Sequence, residues 1–391
     1  MKSKSVNQKS EILIVGAGPA GTSAAIRLAQ KGFRVTLAER EKFPRNKLCG
    51  EFISPECFAH FHALGVAEQL LAAGGDRILE TRFYAPGGKS VTVPSKWFSL
   101  DETALGLSRA EMDRQLLERA RQSGVRVLEE TQVVGLLTEN AQICGVKTKT
   151  NEILADLIVD ATGRSRVLGK LAEKQIRNPQ SAIRNPLVGF KTHLSDVDME
   201  PGRCEIYFFR GGYGGLNYVE KGMGNHCFLI KAEIVKEFGG DVEKILQNVI
   251  FENRRARETM QDARPIYDWL AVAVDGFGLK SLNPAPNLIA VGDAGAFIDP
   301  FTGSGMLMAL ESGEILAGVV EKNLTTEQIA DKYRIMHTAK FRRRLRICGL
   351  MRQAAFAPNI AKWIISILSL TENPRRILAR ATRPNFSPSE K

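Results

Sequence analysis

Three glycines in residues 16–21 (GAGPAG) have the spacing of a turn that binds the diphosphate of a dinucleotide. Gly16 permits a tight turn, Gly18 lets the backbone approach a diphosphate, and Gly21 lets the next helix pack closely on the preceding strand. The amide groups at the start of that helix would hold the phosphates. Glu39 follows Gly16 by 23 positions and is expected to accept hydrogen bonds from the ribose. The motif predicts a dinucleotide site and leaves NAD and FAD as alternatives.

A second group of residues, near position 300, indicates a flavin. Asp293 follows the apolar run 288–291, where its carboxylate can bind a ribityl hydroxyl, although it can also cap a helix. Residues 299–306 (DPFTGSGM) then open another helix, and Gly303 and Gly305 allow a close approach of the backbone. Amide groups at this helix start would face the pyrimidine edge of the flavin. They would stabilise the negative charge that this edge gains on reduction.

Alternating strands and helices must position these motifs. The apolar run 11–15 predicts a buried parallel strand, residues 22–31 a helix, and residues 34–39 a second strand. Between about 175 and 275, shorter alternating strands with glycine-rich turns predict an antiparallel sheet. After this insertion, a helix is predicted from about 304 to 320, so that the nucleotide-binding unit is discontinuous.

The order of the motifs resembles a known family. Residues 160–165 (DATGRS) are by themselves an ordinary junction of strand and turn, but they stand between the other two motifs. Together the three resemble the para-hydroxybenzoate-hydroxylase-type flavoproteins, and residues 47–51 (KLCGE), preceded by 43–45 (FPR), resemble the geranylgeranyl reductase branch. The resemblance covers about residues 10–320 and implies extended FAD with its flavin between two domains.

The resemblance also implies a fold and a set of cofactor contacts. The fold class is α/β, with a Rossmann-like FAD-binding domain of this type, an inserted antiparallel-sheet substrate domain and a helical C-terminal tail. The FAD-binding domain is predicted from residues 1–85, 105–172 and 275–340, the substrate domain from 86–104 and 173–274, and the tail from 341–391. The predicted cofactor-binding residues are Gly16, Gly18, Ala20, Gly21, Glu39, Arg40, Arg45, Cys49, Gly50, Arg109, Val133, Asp293, Gly303, Gly305 and Met306.

Cys49 is the candidate catalytic residue. The resemblance places it beside the flavin, where a thiol could act; the alternative is a small buried residue that packs. No catalytic acid stands out, and Tyr213, Tyr218 and His226 are candidates only by residue type. The six cysteines contain no CxxC pair and the five histidines no HxxxH, so no metal site is predicted.

The charge of the chain is concentrated at its C-terminal end. The net charge is +11, and residues 340–391 contain twelve Lys or Arg against two Glu. A body close to neutral argues against binding of nucleic acid. Residues 359–370 (NIAKWIISILSL) would form a helix with a narrow polar stripe, too short to span a bilayer. This helix is expected either to lie at a membrane interface or to pack against the body, and the protein is expected to be cytoplasmic, with membrane association as the alternative.

Three functions agree with these patterns. The first is a reductase that transfers a hydride from flavin N5 to a C=C bond of a hydrophobic prenyl or lipid-like substrate. The second is a monooxygenase that hydroxylates an aromatic or quinone-like compound through a flavin hydroperoxide. The third is a non-redox prenyl-binding protein. Residues 212–218 (GYGGLNY) lack the tryptophan and proline usual in the reductase branch, and the halogenase signature is absent. Electrons are expected from transiently bound NAD(P)H or from a reduced electron-carrier protein.

Overall fold

The computed structural model describes residues 5–176, 187–274 and 276–383. Residues 1–4, 177–186, 275 and 384–391, which belong to the predicted domains, lie outside the described residues. The strands are β1 (Glu11–Val15), β2 (Arg34–Ala38), β3 (Phe52–Ile53), β4 (Asp76–Ile78), β5 (Glu80–Tyr84), β6 (Ser90–Pro94), β7 (Ala104–Gly106), β8 (Arg126–Leu128), β9 (Val133–Glu139), β10 (Gln142–Thr148), β11 (Glu152–Leu154), β12 (Leu157–Asp160), β13 (Leu187–Ser195), β14 (Arg203–Phe209), β15 (Gly212–Tyr218), β16 (Gly224–Lys231), β17 (Arg264–Pro265), β18 (Leu270–Val274), β19 (Gly278–Leu279), β20 (Leu288–Ala290) and β21 (Ala296–Phe297). The helices are α1 (Pro19–Gln30), α2 (Cys57–Leu64), α3 (Ala67–Ala72), α4 (Arg109–Gln122), α5 (Val167–Ile176), α6 (Ala232–Glu237), α7 (Val242–Asn248), α8 (Arg254–Met260), α9 (Gly305–Val320), α10 (Thr326–Ala355), α11 (Pro358–Leu368) and α12 (Glu372–Ala381).

A five-stranded parallel sheet, in the order β20-β12-β1-β2-β8, forms the centre of the nucleotide-binding unit. Its strands β1 and β12 are almost entirely buried, as expected of a parallel sheet covered on both faces. Helix α1 begins directly after β1 with Pro19, whose missing amide hydrogen costs nothing at the first helical position. The motifs at the ends of β1, β12 and β20 therefore meet at the same edge. The predicted Rossmann-like fold class is confirmed.

A second, eight-stranded sheet has the order β17-β13-β16-β15-β14-β5-β6, and β18 also pairs with β13. Most pairs are antiparallel, as predicted, but β14 and β5 are parallel. Side chains alternate between the two faces of β16. Phe228 and Ile230 point into the core under α6, α7 and α8, while Cys227 and Leu229 point to the other face. That second face meets the nucleotide-binding unit and the C-terminal helices.

One predicted domain boundary needs correction. Strand β5 was assigned to the FAD-binding domain, which was expected to extend to residue 85, but it pairs with β14 and β6 in the large sheet. Its Tyr84 is buried beside Tyr207 of β14, at a ring distance of 6.1 Å. Strand β7, by contrast, pairs with β3 and β4. The division into two domains stays a prediction, with β5 moved to the substrate domain.

The C-terminal tail is not a separate segment after residue 340. Helix α10 begins with a capping box between Thr325 and Gln328 and continues unbroken across this boundary. Within it, Arg344 is buried and pairs with Glu311 of α9 at 3.0 Å. Helix α11 buries Ala361 against the large sheet. The tail is therefore joined to the body, and none of the helices among the described residues is long and apolar enough to cross a membrane.

Candidate functional site

The glycine turn after β1 packs tightly against the end of β12. A Cβ atom at Gly16, where φ is +107°, would lie 2.4 Å from the carbonyl oxygen of Ala161. A Cβ atom at Gly21 would lie 1.9 Å from the carbonyl oxygen of Gly16. A Cβ atom at Gly18 would make an ordinary van der Waals contact with the Arg109 guanidinium at 3.7 Å. The N-cap residue of α1, Gly18, has no side chain to make a capping hydrogen bond, so the first amide groups of the helix, including that of Ala20, are available to an anion such as a diphosphate.

Glu39 is fixed beside this turn. The buried carboxylate accepts hydrogen bonds from the amide groups of Ala17, at 2.8 Å, and Glu41, at 3.2 Å. Val133, another predicted contact, is buried in the same cluster as Ala38, which precedes Glu39. The side chain of Arg40 is instead 63% exposed and pairs with Glu41 on the surface. The structure therefore brings Glu39 and Val133 to the nucleotide end of the sheet but leaves the Arg40 side chain outside it.

Two predicted arginines converge on one buried carboxylate. Arg109 is the first residue of α4 and makes two hydrogen bonds to Asp113, at 2.9 and 2.7 Å. Arg45 donates to the same carboxylate at 3.1 Å and lies 3.8 Å from Glu39. Asp113, which the sequence reasoning missed, thus holds both guanidinium groups near Gly18. Asp113 binds the Nε–Nη2 edge of Arg109 and Nη1 of Arg45, so a diphosphate would be bound by the remaining N–H groups of these two cations.

Lys47 was also missed as a site residue. Its Nζ atom lies 3.6 Å from where a Cβ atom of Gly163 would be. Burial lowers the pKa of Lys47 to about 8, with further lowering by the charges of Arg109 and Arg45. On the opposite side, burial raises the pKa of Asp293, against the charge of Lys47. Lys47 therefore lies between the motif of residues 160–165 and Asp293. The signal was present in the sequence, since it is part of residues 47–51.

The segment from Lys47 to Glu51, here called the Cys49 segment, lies between the two sheets. Cys49 is half-buried, and its sulfur accepts a hydrogen bond from the Glu51 amide at 3.4 Å. Its carbonyl oxygen accepts one from Asn225 of β16 at 3.4 Å. Apart from its chain neighbours, no atom of the described residues lies within 4 Å of a Cβ position at Gly50, so this glycine borders open space. The position of the flavin beside this segment and a catalytic role of Cys49 both stay predictions.

Glu51 joins the Cys49 segment to the large sheet through a buried ion cluster. Its carboxylate accepts hydrogen bonds from Lys191 at 2.5 Å, His193 at 2.7 Å and the amide group of Arg109 at 2.8 Å. Burial raises the pKa of Glu51, but the hydrogen bonds and charges of His193 and Lys191 outweigh it, so the pKa is lower than usual. All these side chains are nearly inaccessible to solvent. The one signal in the sequence for this ion cluster was Lys191, a charged residue inside strand β13.

The start of α9 forms another side of the candidate site. Its N-cap residue, Ser304, makes no capping hydrogen bond from its side chain, so the first amide groups of the helix, from Gly305 onward, remain available. A Cβ atom at Gly305 would contact only Ile298, at 3.7 Å. Gly303 has φ +61° and lies against Phe52, where a Cβ atom would be 3.0 Å away. Met306 is packed against the core of the nucleotide-binding unit. These residues lie where the sequence predicts the flavin pyrimidine edge.

Aromatic side chains from both units form a cluster next to the Cys49 segment. Phe301 contacts Phe83 and Phe208, each at a ring distance of 5.7 Å. Tyr213 of β15 contacts Phe301 at 5.2 Å and Phe356, after α10, at 5.7 Å. Leu48 of the Cys49 segment packs against the same group. Phe208 and Tyr213 of this aromatic cluster are buried, so the cluster is an apolar group where the two units meet.

The residues of the candidate site together fit FAD. The groove supplies a ribose acceptor, free helix amides, a cationic pair and open backbone at the glycines, which are the donor and acceptor types that a flavin dinucleotide needs. Among the described residues, no group of three or more His, Cys, Asp or Glu side chains could hold a metal ion.

Comparisons with known proteins agree with this geometry. The model of the family described as "FAD binding domain" matches residues 9–320. The digeranylgeranylglycerophospholipid reductase of Methanocella arvoryzae is 26% identical over 353 residues, covering 86% of this chain and 83% of the relative. In fold, the chain is similar to a geranylgeranyl bacteriochlorophyll reductase-like protein from Thermoplasma acidophilum, with a TM-score of 0.77, 20% identity and 95% and 96% of the two chains covered. It is also similar to the flavin-dependent brominase Bmp2, with a TM-score of 0.80, 17% identity and 96% and 93% covered.

Proposed function

Because the chain belongs to the FAD binding domain family, we propose that it is an FAD-dependent reductase that saturates C=C bonds of a prenyl or lipid-like substrate. The observation that carries this proposal is the aromatic cluster beside the Cys49 segment. An isoprenoid chain has little to offer a protein except apolar surface, and such an apolar cluster binds it without polar groups. The reductase name of the Methanocella relative supports the same substrate class.

The residues of the chain have distinct roles in this reaction. Arg45 and Arg109 hold the diphosphate, Glu39 the ribose, and the first amide groups of α9 the pyrimidine edge. Bound FAD supplies the two-electron chemistry, as a hydride donor. The aromatic cluster excludes water and holds the double bond against the ring, which turns a bimolecular encounter into an oriented one.

A second candidate function is a monooxygenase of aromatic or quinone-like compounds. Strand β15 is the reason to consider it, because residues 212–218 contain neither the tryptophan nor the proline that is usual in the reductase branch. A Cβ atom at Gly215 would lie 3.0 Å from Ile206, so a larger side chain there would need the isoleucine to move. A non-redox prenyl-binding protein is a third candidate. The electron donor is proposed to be NAD(P)H bound transiently, or a reduced carrier protein.

The first prediction separates these functions by the oxidant of the reduced enzyme. We expect anaerobic, photoreduced protein to be reoxidised by digeranylgeranylglycerophospholipid and not by phenols, because a prenyl C=C bond can take up a hydride together with a proton, whereas a phenol without oxygen cannot. Flavin absorbance after stopped-flow mixing measures this, and mass spectrometry of the lipid should show a gain of two hydrogens per double bond. An air-dependent absorbance transient stabilised by a phenol would favour the monooxygenase instead. Protein purified without flavin and unable to bind it would favour the binding protein.

We also propose that the C-terminal helices contact an anionic lipid surface. Helix α11 packs one face on the body, but the opposite face exposes Ile360, Trp363 and Ile367, and Trp363 is 68% exposed. Lys362 and Arg376 are exposed nearby. An apolar face bordered by cations is typical of a helix that lies in a membrane interface.

A vesicle-binding measurement tests this contact. The double substitution Trp363→Ser and Ile367→Ser should lower binding to phosphatidylglycerol vesicles about 10-fold, since it removes exposed apolar area without touching the packed face. Removal of residues 340–391 would be a poorer test, because it cuts α10 inside the core. The matched control is Leu154→Ser, an exposed leucine of β11 that is 68% accessible. Equal binding by the double variant and the control would exclude a membrane contact through α11.

A further inference from the structure

Asp299 is a buried carboxyl group with an uneven environment. It is 3% exposed and ends the segment before the Pro300–Thr302 turn. Its Oδ1 atom accepts two hydrogen bonds, from the Tyr213 hydroxyl at 2.6 Å and from the Phe301 amide group at 2.9 Å. Its Oδ2 atom is buried and accepts none from the described residues, and the nearest cation, Nε of Arg352, is 3.9 Å away. The N-cap hydrogen bond to the Phe301 amide group uses Oδ1, so Oδ2 takes no part in it.

This asymmetry determines where a proton would lie. Burial raises the pKa of Asp299, although the hydrogen bonds of Tyr213 and Phe301 and the charge of Arg352 oppose this. In the protonated acid, Oδ1 is already occupied by two donors, so the hydrogen belongs on Oδ2. A hydrogen on Oδ2 would have no hydrogen-bond acceptor among the described residues. Tyr213 donates to the oxygen that becomes negative when the proton leaves, which stabilises the carboxylate that forms.

Asp299 lies beside the aromatic cluster, which we propose to be the substrate-facing surface. Tyr213 belongs to the aromatic cluster, and Asp299 directly precedes the turn that carries Phe301 and leads to the start of α9. The other acid candidates lie elsewhere. The Tyr218 hydroxyl donates to the carbonyl oxygen of Val197 at 2.8 Å, on the helix-covered side of the sheet. His226 faces the same side, and burial lowers its pKa to about 4.

We propose that Asp299 is the acid that protonates the substrate alkene, with Tyr213 as its positioning residue. This inference rests on the proposed reductase function and names the missing proton source. One alkene carbon gains a hydride from reduced FAD, which leaves FAD oxidised. The Oδ2–H bond of Asp299 breaks, and the other alkene carbon gains that proton, so the C=C bond becomes a C–C bond with two new C–H bonds. The carboxylate, held by Tyr213, then takes a proton from water.

The test uses the full-length holoenzyme and the Asp299→Asn variant. Asparagine keeps the shape and the Oδ1 acceptor of the cap but cannot supply a proton. Reoxidation of photoreduced enzyme by digeranylgeranylglycerophospholipid should slow by about 100- to 10,000-fold, while FAD affinity is unchanged. The matched control is Asp262→Asn, an exposed carboxyl group, which should keep the wild-type rate. If wild type reacts and Asp299→Asn reacts equally fast, the acid assignment is wrong and the reductase function stands. If wild type does not react, the proposed reductase function is wrong, and so is the alkene-protonating role of Asp299.

The pH profile tests the positioning role of Tyr213. The titratable and charged groups that face Asp299 are Tyr213 of β15, and Arg352 and the Cys348 thiol of α10. Activity should fall as pH rises through the pKa of Asp299. The Tyr213→Phe variant removes a donor to the carboxylate, so it should move this fall to higher pH; a change in KM alone would mean that Tyr213 only packs.

Infrared difference spectroscopy tests the protonated state without turnover. The resting protein at neutral pH should show a carboxylic-acid C=O band that disappears in Asp299→Asn and shifts in Tyr213→Phe, because the hydroxyl donates to that carbonyl oxygen. The band should be the same in the Asp262→Asn control. An ionised Asp299, seen as the absence of this band in wild type, overturns the proposal whatever the substrate proves to be.

Discussion

The Glu39→Arg variant is expected to bind FAD about 100-fold more weakly than wild type. The carboxylate is the ribose acceptor of the site, and hydrogen bonds to a charged group contribute about 1.5–3 kcal/mol. The new cation would also face Arg45, which lies 3.8 Å from the Glu39 carboxylate, and the Ala17 amide group would lose its acceptor. Fluorescence titration of the apoprotein with FAD measures the dissociation constant.

Two further variants make this result specific. Glu41→Arg introduces the same charge two residues away, where the side chain is exposed and pairs with Arg40, and it should leave FAD affinity unchanged. Glu39→Gln keeps an acceptor for Ala17 but lacks the charge, so its affinity should lie between those of wild type and Glu39→Arg. Wild-type affinity of Glu39→Arg, with native circular dichroism, would mean that the ribose is bound elsewhere.

The nucleotide-binding unit could be predicted from the sequence because its signals are local. The glycine turn, its preceding strand and its following helix are adjacent in the chain, and Glu39 ends the next strand. The helix predicted from about 304 to 320 likewise follows directly on its glycine motif in the chain, and it is observed as α9, Gly305–Val320. Strand β5 was placed in the wrong domain because its sequence is compatible with either sheet. Its partner β14 lies more than a hundred residues away, and only that pairing decides its position.

The parts of the site that were missed depend on how the two units meet. Asp113 was hidden inside a helix pattern, where a charge usually faces solvent. The Tyr213 hydroxyl and Asp299 are 86 residues apart, and no motif joins them. Likewise the continuity of α10 across residue 340 depends on the buried pairing of Arg344 with Glu311, not on local composition. Such contacts follow from the arrangement of the sheets, which one sequence does not specify locally.

The second large effect is expected from Glu51→Gln, which should lower the free energy of unfolding by about 3–5 kcal/mol at neutral pH. The substitution leaves Lys191, which is 1% exposed, without its counter-charge, and an uncompensated buried charge costs about that much. Chemical denaturation of the FAD-free protein measures the change without a contribution from cofactor binding. The control is Glu237→Gln, whose pair with Arg210 is exposed and should contribute nothing measurable.

The pH dependence of this difference follows from the direction of the pKa shift. Because the pKa of Glu51 is lower in the folded protein than in the unfolded chain, its stabilisation is complete above the unfolded value of about 4.3. It is lost as pH falls through the folded value, where the wild-type carboxyl group becomes neutral like the amide. The stability gap between wild type and Glu51→Gln should therefore be widest at neutral pH and narrow below about pH 4. A gap that stays constant down to pH 3 would mean that shape, and not the charge of Glu51, holds the Cys49 segment against the large sheet.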